Sequence, residues 1–128
     1  MEPLVFVVDD DNGVRNSLST LLNACGYETQ SFATATESLD ALADAEPRCL
    51  ILDLQLPAII QLPDKNGLDL LRELISRDKP MPTIIITGHD DDKFESSAMQ
   101  QNAVAYFQKP FNTSQLLDVL SKVIAPAT

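Results

Sequence analysis

A chain of 128 residues with 45% hydrophobic content is long enough for one domain that buries roughly two thirds of its unfolded surface. Its 19 acidic against 9 basic residues give a formal net charge of −10. That balance speaks against direct nucleic-acid contact, whose affinity comes largely from neutralising phosphates. No apolar stretch approaches the roughly 18 residues that a membrane span needs, and the first residues carry no basic n-region with a cleavage site. The chain therefore reads as cytoplasmic. Cys25 and Cys49 form no Cys-x-x-Cys pair and lie in apolar contexts, as reduced core thiols do.

Leu4-Val5-Phe6-Val7-Val8 is an apolar run without alternation that ends on Asp9-Asp10. Val14, Leu18, Leu21, Leu22 and Cys25 then recur at helical spacing, with Gly26 as the stop. The more polar run from Tyr27 to Phe32 suits an edge strand. Thr34-Ala35-Thr36-Glu37 has capping-box spacing and opens a helix expected to turn Leu39, Leu42 and Ala43 inward. Cys49-Leu50-Ile51-Leu52 is a third strand that stops on Asp53. A helix from about Gly67 carries Leu68, Leu71, Leu74 and Ile75 and closes near Arg77, ahead of Pro80 and Pro82. Thr83-Ile84-Ile85-Ile86 is the fourth strand and stops on Thr87. Asp90-Asp91-Asp92 sits where a helix N-terminus favours anions, and that helix runs through Phe94, Ala98 and Gln101. Val104-Ala105-Tyr106-Phe107 is the fifth strand and leads to Lys109-Pro110. Asn112-Thr113-Ser114-Gln115 caps a last helix with Leu116, Leu117, Leu120, Val123 and Ile124 on one face, and Pro126 ends it.

The pattern is (βα) five times. Strands that are apolar on both faces imply a doubly wound five-stranded parallel sheet, an α/β fold with helices on either side. Right-handed crossovers bring every strand's C-terminal end to one edge, and ligands of such sheets bind there, near the topological switch point. One domain covers residues 1–125, with 126–128 a tail or the start of a linker.

Asp9, Asp10, Asp53, Thr87 and Lys109 thus converge on one crevice. Three neighbouring carboxylates are tolerable only with a bound cation or with one carboxyl protonated. Oxygen ligands without a nearby His or Cys favour a hard ion, Mg²⁺ before Zn²⁺. The acidic turn alone would suit a solvated loop equally well; the matching groups at the other strand ends argue for a site. Lys109 supplies an ammonium, and Thr87 supplies a hydroxyl followed by Gly88. Together these are the parts that hold a phosphoryl group in line with a nucleophile. An aspartate carboxylate can itself be that nucleophile and form an acyl phosphate. Asp53 is the natural choice, standing alone between the metal pair and the lysine.

Val8-Asp9-Asp10, Leu52-Asp53-Leu54-Gln55-Leu56-Pro57, Thr87-Gly88 and Tyr106-Phe107-Gln108-Lys109-Pro110-Phe111 resemble, in order and spacing, the receiver domain of two-component response regulators. The resemblance covers nearly the whole chain and implies the flavodoxin-like strand order 2-1-3-4-5. Ile86-Thr87-Gly88-His89 and Asn102-Ala103-Val104-Ala105-Tyr106-Phe107 are similar to the FixJ-like subgroup. A helix-turn-helix output domain usually follows in that subgroup, and none lies within these 128 residues. The resemblance implies that Asp53 accepts a phosphoryl group from a histidine kinase. It implies that Asp10, Asp53 and the Gln55 main-chain carbonyl ligate Mg²⁺ directly and that Asp9 helps through water. Lys109 would pair with the phosphoryl oxygens or with Asp53. Thr87 would move inward and Tyr106 follow in a rotamer switch that reshapes the face of the fourth helix, fifth strand and fifth helix. The expected output is transcriptional, and a homodimer on phosphorylation stays open. Tyr106 also reads simply as a half-buried strand aromatic.

Other patterns fare worse. His89, the only histidine, suits a surface or phospholifetime-tuning role near the site better than catalysis. With Gly13 at the sixth position of a calcium loop, Val8 would fall at the first ligand position, so that motif fails. No Gly-x-x-x-x-Gly-Lys-Ser/Thr loop exists. An aspartate-nucleophile phosphohydrolase of the haloacid-dehalogenase type places Asp-x-Asp-Thr/Val after its first strand, and Asp9-Asp10-Asp11-Asn12 lacks the Thr/Val. A phosphorylation-independent pseudo-receiver would have no need of the intact set Asp9, Asp10, Asp53, Thr87 and Lys109.

One stretch departs from the receiver pattern. Receivers usually run Asp-x-x-x-Pro-x-x-x-Gly from the third strand into the next helix. Here Asp53 to Pro57 supplies the first half and Pro63 to Gly67 the second, with six extra residues, 58–63, between them. Leu54-Gln55-Leu56-Pro57 is nearly repeated as Ile60-Gln61-Leu62-Pro63, like a short tandem duplication. The added length costs at most about 1 kcal/mol. Two readings stand side by side: a lid or partner contact that alters kinase access or acyl-phosphate lifetime, and a neutral surface insertion.

Overall fold

The computed structural model of the chain has strands β1 (Leu4–Val8), β2 (Glu28–Phe32), β3 (Cys49–Asp53), β4 (Thr83–Thr87) and β5 (Ala103–Gln108). The helices described over their full length are α1 (Asn12–Ala24), α2 (Ala35–Ala41) and α3 (Thr113–Val123). The structure describes residues 3–53, 73, 74, 76, 77, 81–88 and 103–124. Gln55, the 58–63 segment, most of the helix expected from Gly67, His89, the helix expected over 90–101 and the 126–128 tail lie outside the described residues. Of the first of those helices, Glu73, Leu74 and Ser76 are helical, and the Arg77 N–H donates to the Glu73 carbonyl at 3.0 Å.

The strands form one parallel sheet in the expected order β2-β1-β3-β4-β5. The chain turns outward from β1 to β2 and then crosses back to β3, so the switch point lies between β1 and β3. Val5, Val7, Cys49, Ile51, Ile84 and Ile86 pack against Leu18 and Leu22 of α1 and Leu116 and Leu120 of α3. Phe6, Val8, Leu50, Leu52 and Ile85 pack on the opposite side with Leu39, Leu42 and Leu74. Every residue of β3 and β4 is buried, which is why their sequences show no polar alternation. Burying each such aliphatic side chain contributes about 1.5–3 kcal/mol.

Side chains start each helix. The Asp11 carboxylate accepts from the Gly13 and Val14 N–H groups, and Asn112 accepts from Ser114 and Gln115. The Thr34 hydroxyl accepts from Glu37 N–H, while the Glu37 carboxylate reaches back to Ala33 N–H at 3.4 Å, one residue before the cap. Gly26, at φ 93°, turns the chain out of α1 in a conformation that costs other residues dearly.

Three details differ from the sequence expectation. Ala43 is exposed, because α2 ends at Ala41 with Leu42 as its cap and the chain has left the helix before Ala43. Tyr27 precedes β2, yet it is buried and its hydroxyl donates to the Ile124 carbonyl at 3.2 Å. In β5 the register slips: Thr83 pairs with Ala103 but Ile84 pairs with Ala105. Val104 is thus the extra residue of a bulge, 43% exposed, and beyond it Ala105 and Phe107 turn to the α1/α3 side while Tyr106 turns to the other.

Candidate functional site

The C-terminal edge of the sheet gathers the chemistry-bearing residues. Val8 pairs with Leu52 across β1 and β3, so the following residues, Asp9 and Asp53, arrive side by side. Thr87 ends β4 opposite Gln108, and the Lys109 N–H extends that ladder by donating to the Thr87 carbonyl at 2.6 Å. Asp9, Asp53 and Thr87 are all buried, at 0%, 4% and 1% exposure. Burial of ionised carboxylates is expensive unless they are paired.

Lys109 supplies the pairing. Its ammonium donates to Asp9 Oδ2 at 2.8 Å and to Asp53 Oδ2 at 3.2 Å. Burial by itself would lower the affinity of Lys109 for its proton. The hydrogen bond to Asp9, the charges of Asp53 and Asp9 and the hydrogen bond to Asp53 outweigh it and hold the ammonium above the usual lysine value. The sequence assigned Lys109 to the crevice with Asp53, and the structure adds the Asp9 contact.

Asp9 has a partner for each of its polar atoms. Its N–H donates to the Phe32 carbonyl at 3.1 Å, its Oδ1 accepts from Asp11 N–H at 2.9 Å, and its own carbonyl accepts from Arg15 Nη1 at 2.7 Å. Asp10, one residue further, is exposed. One carboxylate oxygen from each of Asp9, Asp10 and Asp53 lies within 4.8 Å of the others. An all-oxygen set at that spacing fits a hard divalent cation. Both oxygens of Asp9 already accept hydrogen bonds, from Asp11 N–H and from Lys109, whereas Asp10 is exposed.

Thr87 ends β4 at the same edge of the sheet. Tyr106, half-buried, pairs in register with Ile85, two residues before Thr87, and packs against the core side that holds Phe6, Val8 and Leu52. Beside the acidic turn, a cavity of about 640 Å³ opens between α1 and the β5–α3 connection, lined by Asp11, Val14, Leu18, Lys109, Pro110 and Phe111 among others. Two site residues escaped the sequence reading, Asp11 and Arg15. Asp11 carried a usable signal, an N-cap residue type directly ahead of the helical repeat. Arg15 had only its position four residues further on, one helical turn from that cap.

Strand order and crevice together place the chain in the class of flavodoxin-like doubly wound α/β domains, with a cluster of three carboxylates at the switch point where such folds bind ligands. The family profile of the response regulator receiver domain matches residues 5–121. The chain belongs to that family: it is a receiver domain of two-component response regulators, a signalling domain. Nodulation protein W of Bradyrhizobium diazoefficiens is 38% identical over 117 residues, covering 91% of this chain and 49% of that protein. The transcriptional regulatory protein FixJ of the same organism is 32% identical over 123 residues, 96% of this chain and 57% of that protein. The solved structure of a response regulator receiver protein from Pseudomonas putida matches with a TM-score of 0.85 at 26% identity, over 95% of this chain and 98% of that one. The chain spans about half the length of these curated relatives. No helix among the described residues is long and apolar enough to cross a membrane.

Proposed function

We propose that Asp53 is the phosphoacceptor of a Mg²⁺-dependent switch, loaded by a histidine kinase and read out by an output domain. The observation that carries this reading is the Lys109 ammonium, shared between the buried carboxylates of Asp9 and Asp53 at adjacent strand ends. An Asp53 oxygen attacks the phosphorus of a kinase phosphohistidine. The O–P bond forms, the P–N bond breaks, and the imidazole leaves with the electron pair and takes up a proton. Asp10 and Asp53, with the Gln55 carbonyl, would hold the cation, and Asp9 would assist through water. When bound, Mg²⁺ neutralises charge on the transferring phosphoryl group.

The chain's own groups complete the step. Lys109 turns from the Asp53 carboxylate to the phosphoryl oxygens, keeping its charge where the negative charge grows. The Thr87 hydroxyl donates to a phosphoryl oxygen. Tyr106 follows inward, and the face built on β5 and α3 changes shape. The same groups orient the water that later hydrolyses the acyl phosphate, so the domain assists both its loading and its unloading without turning over an outside substrate. The apolar lining of the cavity beside Lys109 suits contact with the kinase that delivers the phosphoryl group. The name of the FixJ relative, a transcriptional regulatory protein, supports a transcriptional output; the same reading has a helix-turn-helix output domain acting in the cytoplasm and leaves homodimerisation on phosphorylation open.

Incubation with Mg²⁺ and acetyl phosphate, followed by mapping of the adduct by mass spectrometry, tests the reading. A single phosphate on Asp53, absent from Asp53→Asn, is the expected result. Label or turnover through Asp9 would instead support a phosphohydrolase, and no adduct would support a phosphorylation-independent binding module.

A further inference from the structure

Arg15 takes no part in the chemistry above, yet its guanidinium is tied to the site. Its backbone is set by the first turn of α1, where the Arg15 N–H donates to the carbonyl of the capping Asp11 at 3.0 Å. From there Nη1 donates to the Asp9 carbonyl at 2.7 Å and Nη2 to Asn12 Oδ1 at 3.1 Å. Two anchors in one planar fork leave the guanidinium little freedom.

The oxygen it holds belongs to the peptide joining Asp9 to Asp10. A peptide unit is planar, so fixing its oxygen fixes the direction in which the Asp10 N–H and Cα leave. The Asp9 carboxylate is secured separately, by Lys109 and by the Asp11 N–H. Asp10 is exposed, and no hydrogen bond or ion pair among the described residues secures its carboxylate. Whether that carboxylate can reach its place within 4.8 Å of the Asp53 and Asp9 oxygens is therefore set first by where the backbone puts its Cα.

We propose that Arg15 is a positioning residue of the cation site, holding the Asp10 carboxylate opposite Asp53 by fixing the plane of the Asp9–Asp10 peptide. The inference rests on the reading that Asp10 and Asp53 are the cation's ligands. Two consequences of removing Arg15 have opposite signs. Loss of a positive charge beside three carboxylates favours a cation, whereas loss of the peptide's orientation disfavours it. The sign of the change in affinity separates a positioning role from a mere counter-charge.

Calorimetric titration of the chain with MgCl₂ reads that sign. Arg15→Ala is expected to bind Mg²⁺ about tenfold more weakly, at the lower end of what loss of an outer-shell partner does to metal affinity. Acetyl phosphate labelling of Asp53 is expected to slow at limiting Mg²⁺ and to match the parent at saturating Mg²⁺. Arg15→Lys keeps the charge and can donate to the Asp9 carbonyl without the second anchor, so its affinity should fall between the two. If Arg15→Ala does not fold, weaker binding by Arg15→Lys supports the assignment. Equal or tighter binding by the folded variant overturns it, as does a maximal labelling rate that stays low at saturating Mg²⁺. A parent chain that binds no Mg²⁺ overturns both this assignment and the reading of the ligands beneath it.

Discussion

Replacing Lys109 with methionine keeps most of the side chain's length and removes the ammonium that two buried carboxylates share. The side chains of Asp9 and Asp53 are 0% and 6% exposed, and that of Lys109 is 24% exposed. Breaking a fully buried pair from one side costs about 3–5 kcal/mol, while a solvent-exposed pair is worth less than about 1 kcal/mol. Water reaches this cluster from the lysine and from Asp10, so a loss of about 2 kcal/mol is expected for the metal-free protein. For a domain of 128 residues that loss lowers the melting temperature by roughly 7 °C. A divalent cation neutralises the same carboxylates, so the deficit should shrink in MgCl₂. Thermal unfolding of parent and Lys109→Met by circular dichroism, in EDTA and in MgCl₂ at neutral pH, measures both quantities. A variant as stable as the parent in EDTA, or a deficit unaffected by Mg²⁺, would refute the reasoning.

Alkaline pH should weaken the fold through two groups at once, the buried Cys49 and the partly buried Lys109. Burial pushes the Cys49 thiol up from 9.0 to about 12, a backbone hydrogen bond to Leu50 offsetting only part of it, and Lys109 is held above 10.5. Both groups keep their protons more tightly in the folded chain. Their contributions are therefore complete below the unfolded values and are lost as pH rises through the folded ones. Urea midpoints should decline from about pH 9, Cys49→Ala should remove the earliest part of that decline, and flat midpoints up to pH 11 would contradict it. Deletion of residues 58–63 is expected to alter the rate at which Asp53 gains or loses phosphate, through access to the crevice. Equal rates in the two proteins would leave the segment a neutral surface insertion.

The sheet was legible because β3 and β4 are covered on both faces, and that environment accepts little besides unbroken runs such as Cys49–Leu52 and Thr83–Ile86. Asp53 and Thr87 were legible for the complementary reason, as polar residues closing apolar runs at the edge where such folds bind ligands. The bulge at Val104 was not, because it exists only relative to β4, and Ala-Val-Ala-Tyr-Phe reads as an ordinary strand when taken alone. Asp9 and Asp10 look equivalent in the sequence. They differ because the chain leaves the sheet between them, burying one against Lys109 and leaving the other in solvent. Arg15 reads as an ordinary exposed position on an amphipathic helix, since its partner is a backbone oxygen that no residue code announces.

The hydrogen bond from Tyr27 to Ile124 closes a span of 97 residues. Helix α3 begins four residues after Lys109 and runs for 11 residues, about 16 Å, toward the opposite pole of the parallel sheet. There Tyr27, just ahead of β2, holds the carbonyl of Ile124, the residue that caps the helix. The helix is thus a strut seated at both ends, one against the acidic crevice and the other against the far rim. With its C-terminal cap tied to Tyr27, the helix is expected to move as one body, so that a displacement at the lysine end would reach the far rim.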